Sequence, residues 1–147
     1  MLYNILVHAH AGLRWIVLIL LLVAIVTAFR KWQGRDDYTT GDNKLYLWAL
    51  IAVHTQVLLG LVLYFLSPKV QFDPSYFSDK VYRFFTVEHI TGMLIAAVLI
   101  TIGRSRSRRM SGAIRKHKTV FIFFGIGLLL ILASIPWPGR IPGATWF

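Results

Sequence analysis

Five histidines stand in a chain with no cysteine, and four of them, spread over three segments, fall inside long apolar runs. His10, His54 and His89 lie where a polar side chain is costly, and an intramembrane ionisable residue marks a site by default. Without cysteine, thiolate zinc sites, iron–sulfur clusters and covalently attached c-type haem are ruled out, and histidine is the strong metal ligand that remains. Two imidazoles brought to one level from separate helices suit the axial positions of a b-type haem.

Helix geometry decides which histidines meet. Four apolar stretches, 3–29, 45–66, 84–103 and 119–135, are each long enough to cross a bilayer core, which needs about 20 apolar residues. At a rise of about 1.5 Å per residue, His10, counted from Tyr3, and His89, counted from Phe84, fall within about 3 Å of one depth. His54, counted from Ser67, lies roughly 10 Å deeper on that scale, which makes it the second choice as partner to His89. His8 is about 200° around the helix from His10, and Arg14 sits one turn below His10, so His10 faces inward.

The neighbours extend this reading. Arg14 and Arg83 are candidate partners of haem propionates through charge-assisted hydrogen bonds. Met93, one turn below His89, offers a polarizable contact to the ring edge. Glu88, beside His89, is the candidate proton acceptor if the donor is a quinol, with residues 56–64 as candidate contacts. Pairing of Glu88 with Arg83 or Arg14 is the structural alternative. His54 stays open between ligand, proton relay and interhelical hydrogen bond. His8 and His10 together form a weak external copper motif. His117 reads as a charged member of a basic loop, and Trp15 and Trp48 as packing. The stripe Gly92, Met93, Ala96, Ile100 and Gly103 serves either close helix approach or room for a flat macrocycle.

The elements that carry these residues form a single domain over residues 1–147, an all-α bundle of four membrane-spanning helices. The chain is 56% hydrophobic, with a mean hydropathy of +0.62, leaving almost nothing for a soluble domain. The formal charge of +10 is no nucleic-acid signal, because 11 of the 16 Lys and Arg lie in two connections, 30–44 and 104–118. Both follow odd-numbered spans and so share one side. The positive-inside rule makes that side the cytoplasm and puts both termini on the outer, periplasmic side of a bacterial inner membrane. The basic stretch also suits anionic lipid headgroups.

Aromatic residues flank both ends of the spans, as amphipathic rings do at headgroups. Arg14 interrupts the first apolar run and no basic residue precedes it, so it does not read as a cleavable signal peptide. Asp42 or Asn43 is the expected cap of the second span, with Thr86 assisting at the third. Pro136 and Pro138 stop the fourth. Residues 67–83 are expected to fold over the mouth as a lid, and the tail 139–147 to lie at the same interface.

Four segments carry a likeness to a known group: residues 10–15 (His-Ala-Gly-Leu-Arg-Trp), 56–65 (Gln-Val-Leu-Leu-Gly-Leu-Val-Leu-Tyr-Phe), 84–89 (Phe-Phe-Thr-Val-Glu-His) with Met93, and 135–138 (Ile-Pro-Trp-Pro). Over nearly its whole length the chain resembles small bacterial four-span membrane proteins of the cytochrome-b-like type. The resemblance implies a haem b-binding bundle of a respiratory membrane, with His10, Arg14, Glu88 and His89 on the group's motifs and His54 on none. The expected function is electron transfer, with quinol as candidate donor, within a larger membrane complex. The rival readings are a haem-free accessory subunit and a small metal-handling permease.

Overall fold

The computed structural model describes residues 1–142, Ala144 and Trp146, with Ser75 and Tyr76 described by their backbone alone. It is all-α, with no strand among the described residues. Four helices are each long and apolar enough to cross a bilayer: α1 (Leu2–Gly34), α2 (Thr40–Leu66), α3 (Lys80–Arg109) and α4 (Ala113–Ser134). Consecutive helices are antiparallel, so both termini lie at the His10 end, opposite the basic connections.

The helices outrun their apolar spans. α1 continues past residue 29 to Gly34, α2 starts at Thr40, α3 ends at Arg109 and α4 starts at Ala113. Hydropathy measures the thickness of hydrocarbon, whereas Lys, Arg and Gln are good helix formers that carry the helix on into the headgroup layer. α1 ends where Arg35 takes a left-handed conformation (φ 57°, ψ 33°). The α2 cap is Thr39, not Asp42 or Asn43. Thr39 and Asp42 form a capping box, with Thr39 N–H donating to Asp42 Oδ2 at 2.8 Å and Asp42 N–H to Thr39 Oγ1 at 3.2 Å. Likewise Asp79, not Thr86, caps α3 by accepting from the N–H groups of Val81 and Tyr82.

The bundle is a ring in which α1 packs on α2 and α4, α3 packs most closely on α4, and α2 meets α3 over the thinnest seam. Outward faces are apolar: Ile16, Ile19, Leu22, Val98 and Leu129 are exposed. A surface of that kind fits a lipid surrounding. The packed core runs from Val17 through Leu21 and Ala24 on α1, Ala49 and Val53 on α2, Ala96 and Ile100 on α3, and Val120 and Phe124 on α4.

The small residues on α3 and α4 serve close approach. A Cβ on Gly103 would stand 2.3 Å from Phe123 Cβ, and one on Gly127 2.6 Å from Ile100 Cγ1. Because Phe123 Cβ is tied directly to backbone, Gly103→Ala is expected to lower stability by roughly 1–3 kcal/mol, read as an earlier thermal transition in detergent.

Two basic residues depart from their expected solvated positions. His117 is completely buried, not part of a charged loop. Its Nε2–H points at the Asp37 carbonyl (3.4 Å), so its Nδ1 accepts from the Tyr46 hydroxyl at 2.9 Å. Arg104 is 3% exposed, and its Nη2 donates to Asn43 Oδ1 at 2.6 Å. Tyr46→Phe strands the buried His117 Nδ1, and a loss of roughly 1–3 kcal/mol in unfolding free energy is expected.

Candidate functional site

Above Val17 the core gives way to a cavity of about 230 Å³ reached by all four helices. His10 on α1 and His89 on α3 both line it, with ring centroids 6.4 Å apart and ring planes 75° to one another. The depth match read from the sequence therefore corresponds to an actual approach of the two rings.

Each ring is held by a neighbour the sequence does not advertise. His89 Nδ1 lies 2.8 Å from the carbonyl of Ser134, the last residue of α4. A carbonyl only accepts, so Nδ1 carries the proton and Nε2 presents its lone pair. This is the outer hydrogen bond commonly found on a metal-bound imidazole. Gly92 clears the way, since a Cβ there would stand 2.0 Å from Ser134 Oγ.

His10 lies against Gly60 of α2, where a Cβ would stand 3.0 Å from His10 Cε1. One residue type and one depth give this away in retrospect: Gly60 is seven residues from Ser67, as His10 is seven from Tyr3. Gln56, one turn further along α2, donates from Nε2 to the His10 carbonyl at 2.9 Å.

A π turn, Phe84–Glu88, precedes His89, whose N–H bonds back to the Phe84 carbonyl. Such widened turns cluster at functional sites. Here the turn sets both Phe84 and Phe85 against the His89 ring, at centroid distances of 5.8 and 6.2 Å. It also presents the Thr86 carbonyl to the Tyr64 hydroxyl at 2.9 Å, tying α2 to α3. Thr86 Oγ1 accepts from Gln71 N–H at 3.0 Å, which draws the 67–83 connection across the mouth, where Lys69 and Val70 line the cavity. Of the 67–83 stretch expected as a lid, Ser67, Lys69 and Val70 are the residues that reach the cavity. Ala144 also reaches the wall. The rest of the tail expectation falls partly on Gly143, Thr145 and Phe147, outside the described residues.

Arg14 lines the cavity about one turn from Val17. Its Nη2 donates to the Trp146 carbonyl, and its guanidinium lies 5.3 and 5.9 Å from the Trp15 and Trp137 rings. Met93 lines the cavity too.

The other expected site residues lie elsewhere. Glu88 is half exposed and ion-paired with Arg83, Oε1 to Nε at 2.9 Å, so neither lines the cavity. His54 faces the α2–α3 seam. Thr101 Oγ1 donates to the Ala97 carbonyl, so it accepts from His54 Nε2 at 2.9 Å. His8 is exposed, and among the described residues no group of three His, Cys, Asp or Glu gathers to hold a metal ion.

The walls are otherwise apolar, with a few convergent polar groups, which is the makeup of a small-molecule site. His10 Nδ1, Arg14 Nε and Gln56 Oε1 are buried without a hydrogen-bond partner. Buried polar atoms are nearly always paired, so three such atoms around one cavity signal a place built for something polar. Comparison with protein-family models, curated proteins and solved structures finds no match to this chain.

Proposed function

We propose that this chain is a multi-pass membrane protein that binds one b-type haem between His10 and His89 and carries single electrons. The observation that supports it most is the separation of the two rings. The rings lie 6.4 Å apart by centroid and line one cavity, so His10 and His89 are the residues that would hold the iron. When bound, a b-type haem supplies a one-electron couple at its iron.

The chain's own residues do the positioning. His10 and His89 offer the nitrogens, the Ser134 carbonyl fixes the His89 tautomer, and Gly60 leaves His10 its place. Arg14 sits where a propionate charge would be met, backed by its tryptophan cage. The free space of about 230 Å³ is below the roughly 300–1,000 Å³ of typical small-molecule pockets. Of the wall side chains, Met93 is the adaptable one that a macrocycle would displace most easily.

The positive-inside rule orients the molecule, with the 30–44 and 104–118 connections in the cytoplasm and the histidine pair under the outer face of a bacterial inner membrane. Quinol is the candidate donor, and a larger membrane complex the candidate setting, since a bundle this small has little room for a second redox centre. Glu88, Arg83 and His54 have no part in this reading, because they lie outside the cavity. The resemblance of residues 10–15 and 84–89 to cytochrome-b-like proteins points the same way. The test is the visible spectrum and haem content of the protein purified from membranes. One haem per chain with a low-spin α band is expected. A colourless, folded protein would overturn the proposal and leave the accessory-subunit reading.

A further inference from the structure

At the opposite end of the bundle, the thin seam between α2 and α3 widens into an open groove of about 430 Å³. Leu47 and Leu50 of α2 form one wall, and Thr101, Arg104, Ser105, Arg108 and Arg109 of α3 the other. Arg104 and Arg108 are one turn apart on the same helical face. Among the described residues, none of these three guanidiniums has a carboxylate within 4 Å. Asp42, in the first turn of α2, is paired with Lys31 at 2.7 Å.

Arg104 gives the groove a deeper signal than its rim charge. The residue is 97% buried, yet only Nη2 finds partners, on Asn43, while Nε and Nη1 have none. A buried guanidinium with two idle donors costs free energy unless an acceptor arrives.

We propose that this groove binds the phosphodiester headgroup of an anionic phospholipid. Arg108 and Arg109, exposed at the rim, meet the phosphate first, and Arg104 backs them. Planar guanidinium forks match phosphate oxygens in pairs. Ser105 adds a hydroxyl donor. The apolar wall of Leu47 and Leu50 continues into the exposed Trp48 and Ile51 surface, which suits acyl chains. Basic pockets between transmembrane helices near a headgroup layer are sites of this kind. His54 has its place here as well, since its bond to Thr101 ties α2 to α3 at the groove's own wall.

The test is lipid retention by native mass spectrometry. The full chain is extracted from vesicles of mixed phosphatidylglycerol and phosphatidylcholine and mildly delipidated. The wild type is expected to keep one phosphatidylglycerol per chain in preference to phosphatidylcholine. Arg108→Gln with Arg109→Gln, both exposed and so compatible with folding, should cut retention about tenfold. Arg115→Gln with Lys116→Gln removes equal charge away from the groove and should leave retention unchanged. Equal loss in both pairs, no loss in the groove pair, or no preference for phosphatidylglycerol would each overturn the proposal. So would displacement of the lipid by excess inorganic phosphate, which would assign the groove to free phosphate.

Discussion

His89→Ala is expected to purify as a folded, colourless protein, with haem affinity down by more than about 100-fold. Loss of an outer hydrogen-bond partner alone costs about 10- to 100-fold in metal affinity, and loss of the ligand itself must exceed that. His10→Ala should do the same if the proposed haem is held by both rings, which meet in one cavity 6.4 Å apart by centroid. The two variants together should be no worse than either alone, as expected of groups that act as one unit. Haem content per chain and the Soret band measure this directly. His54→Ala supplies the contrast. His54 bonds Thr101 on a separate seam, so its removal should leave the spectrum unchanged. A spectrum lost in His54→Ala and kept in His10→Ala would move the haem to the other half of the bundle.

The level shared by His10 and His89 was legible because a helix rises uniformly and two of its turns can be counted from an interface. The four spans were legible for the same reason, with hydropathy marking the counting origin. Their ends were not, because Lys31, Arg104 and Arg109 sit in continuing helix while hydropathy has already turned polar. His117 shows how a local signal misleads. Its neighbours Arg115, Lys116 and Lys118 suggest a solvated stretch, but His117, Val120, Phe124, Gly127 and Ile131 form one helical stripe, and that whole stripe is buried. The periodicity was present in the sequence and outweighs the charge of the neighbours.

Other parts of the site leave no trace in residue type. The partner of His89 is a backbone carbonyl, which every residue carries, and only the place where α4 ends makes Ser134 the one. The π turn at Phe84–Glu88 holds no Gly or Pro to announce it, and its buried residues are Phe84 and Thr86. Glu88 looked catalytic because it adjoins His89. Adjacent residues on a helix point about 100° apart, and the neighbouring Arg83 holds it outside the cavity.

Gly60 offers a way to close the site without touching either ligand. A Cβ there already approaches His10 Cε1 to 3.0 Å, so Gly60→Ala should shift the ring by a few tenths of an ångström and weaken haem binding by about tenfold. Gly60→Leu places a whole side chain where the imidazole lies. Its expected haem occupancy is near zero, an effect as large as deletion of His10 itself. Stability should change far less, since the added atoms enter the cavity and not the packed core below Val17. Filling apolar space can even offset the strain at the ring. Thermal transitions of the haem-free forms separate the two quantities: Gly60→Leu should melt within a few degrees of haem-free wild type, and Gly103→Ala clearly below it. The ordering matters more than either number. If Gly60→Leu keeps its haem, the imidazole of His10 is not an axial ligand. If it loses haem only in step with its melting temperature, Gly60 is a packing residue. Loss of haem with the fold intact is the outcome that follows from a ring held in place by the absence of a side chain opposite it.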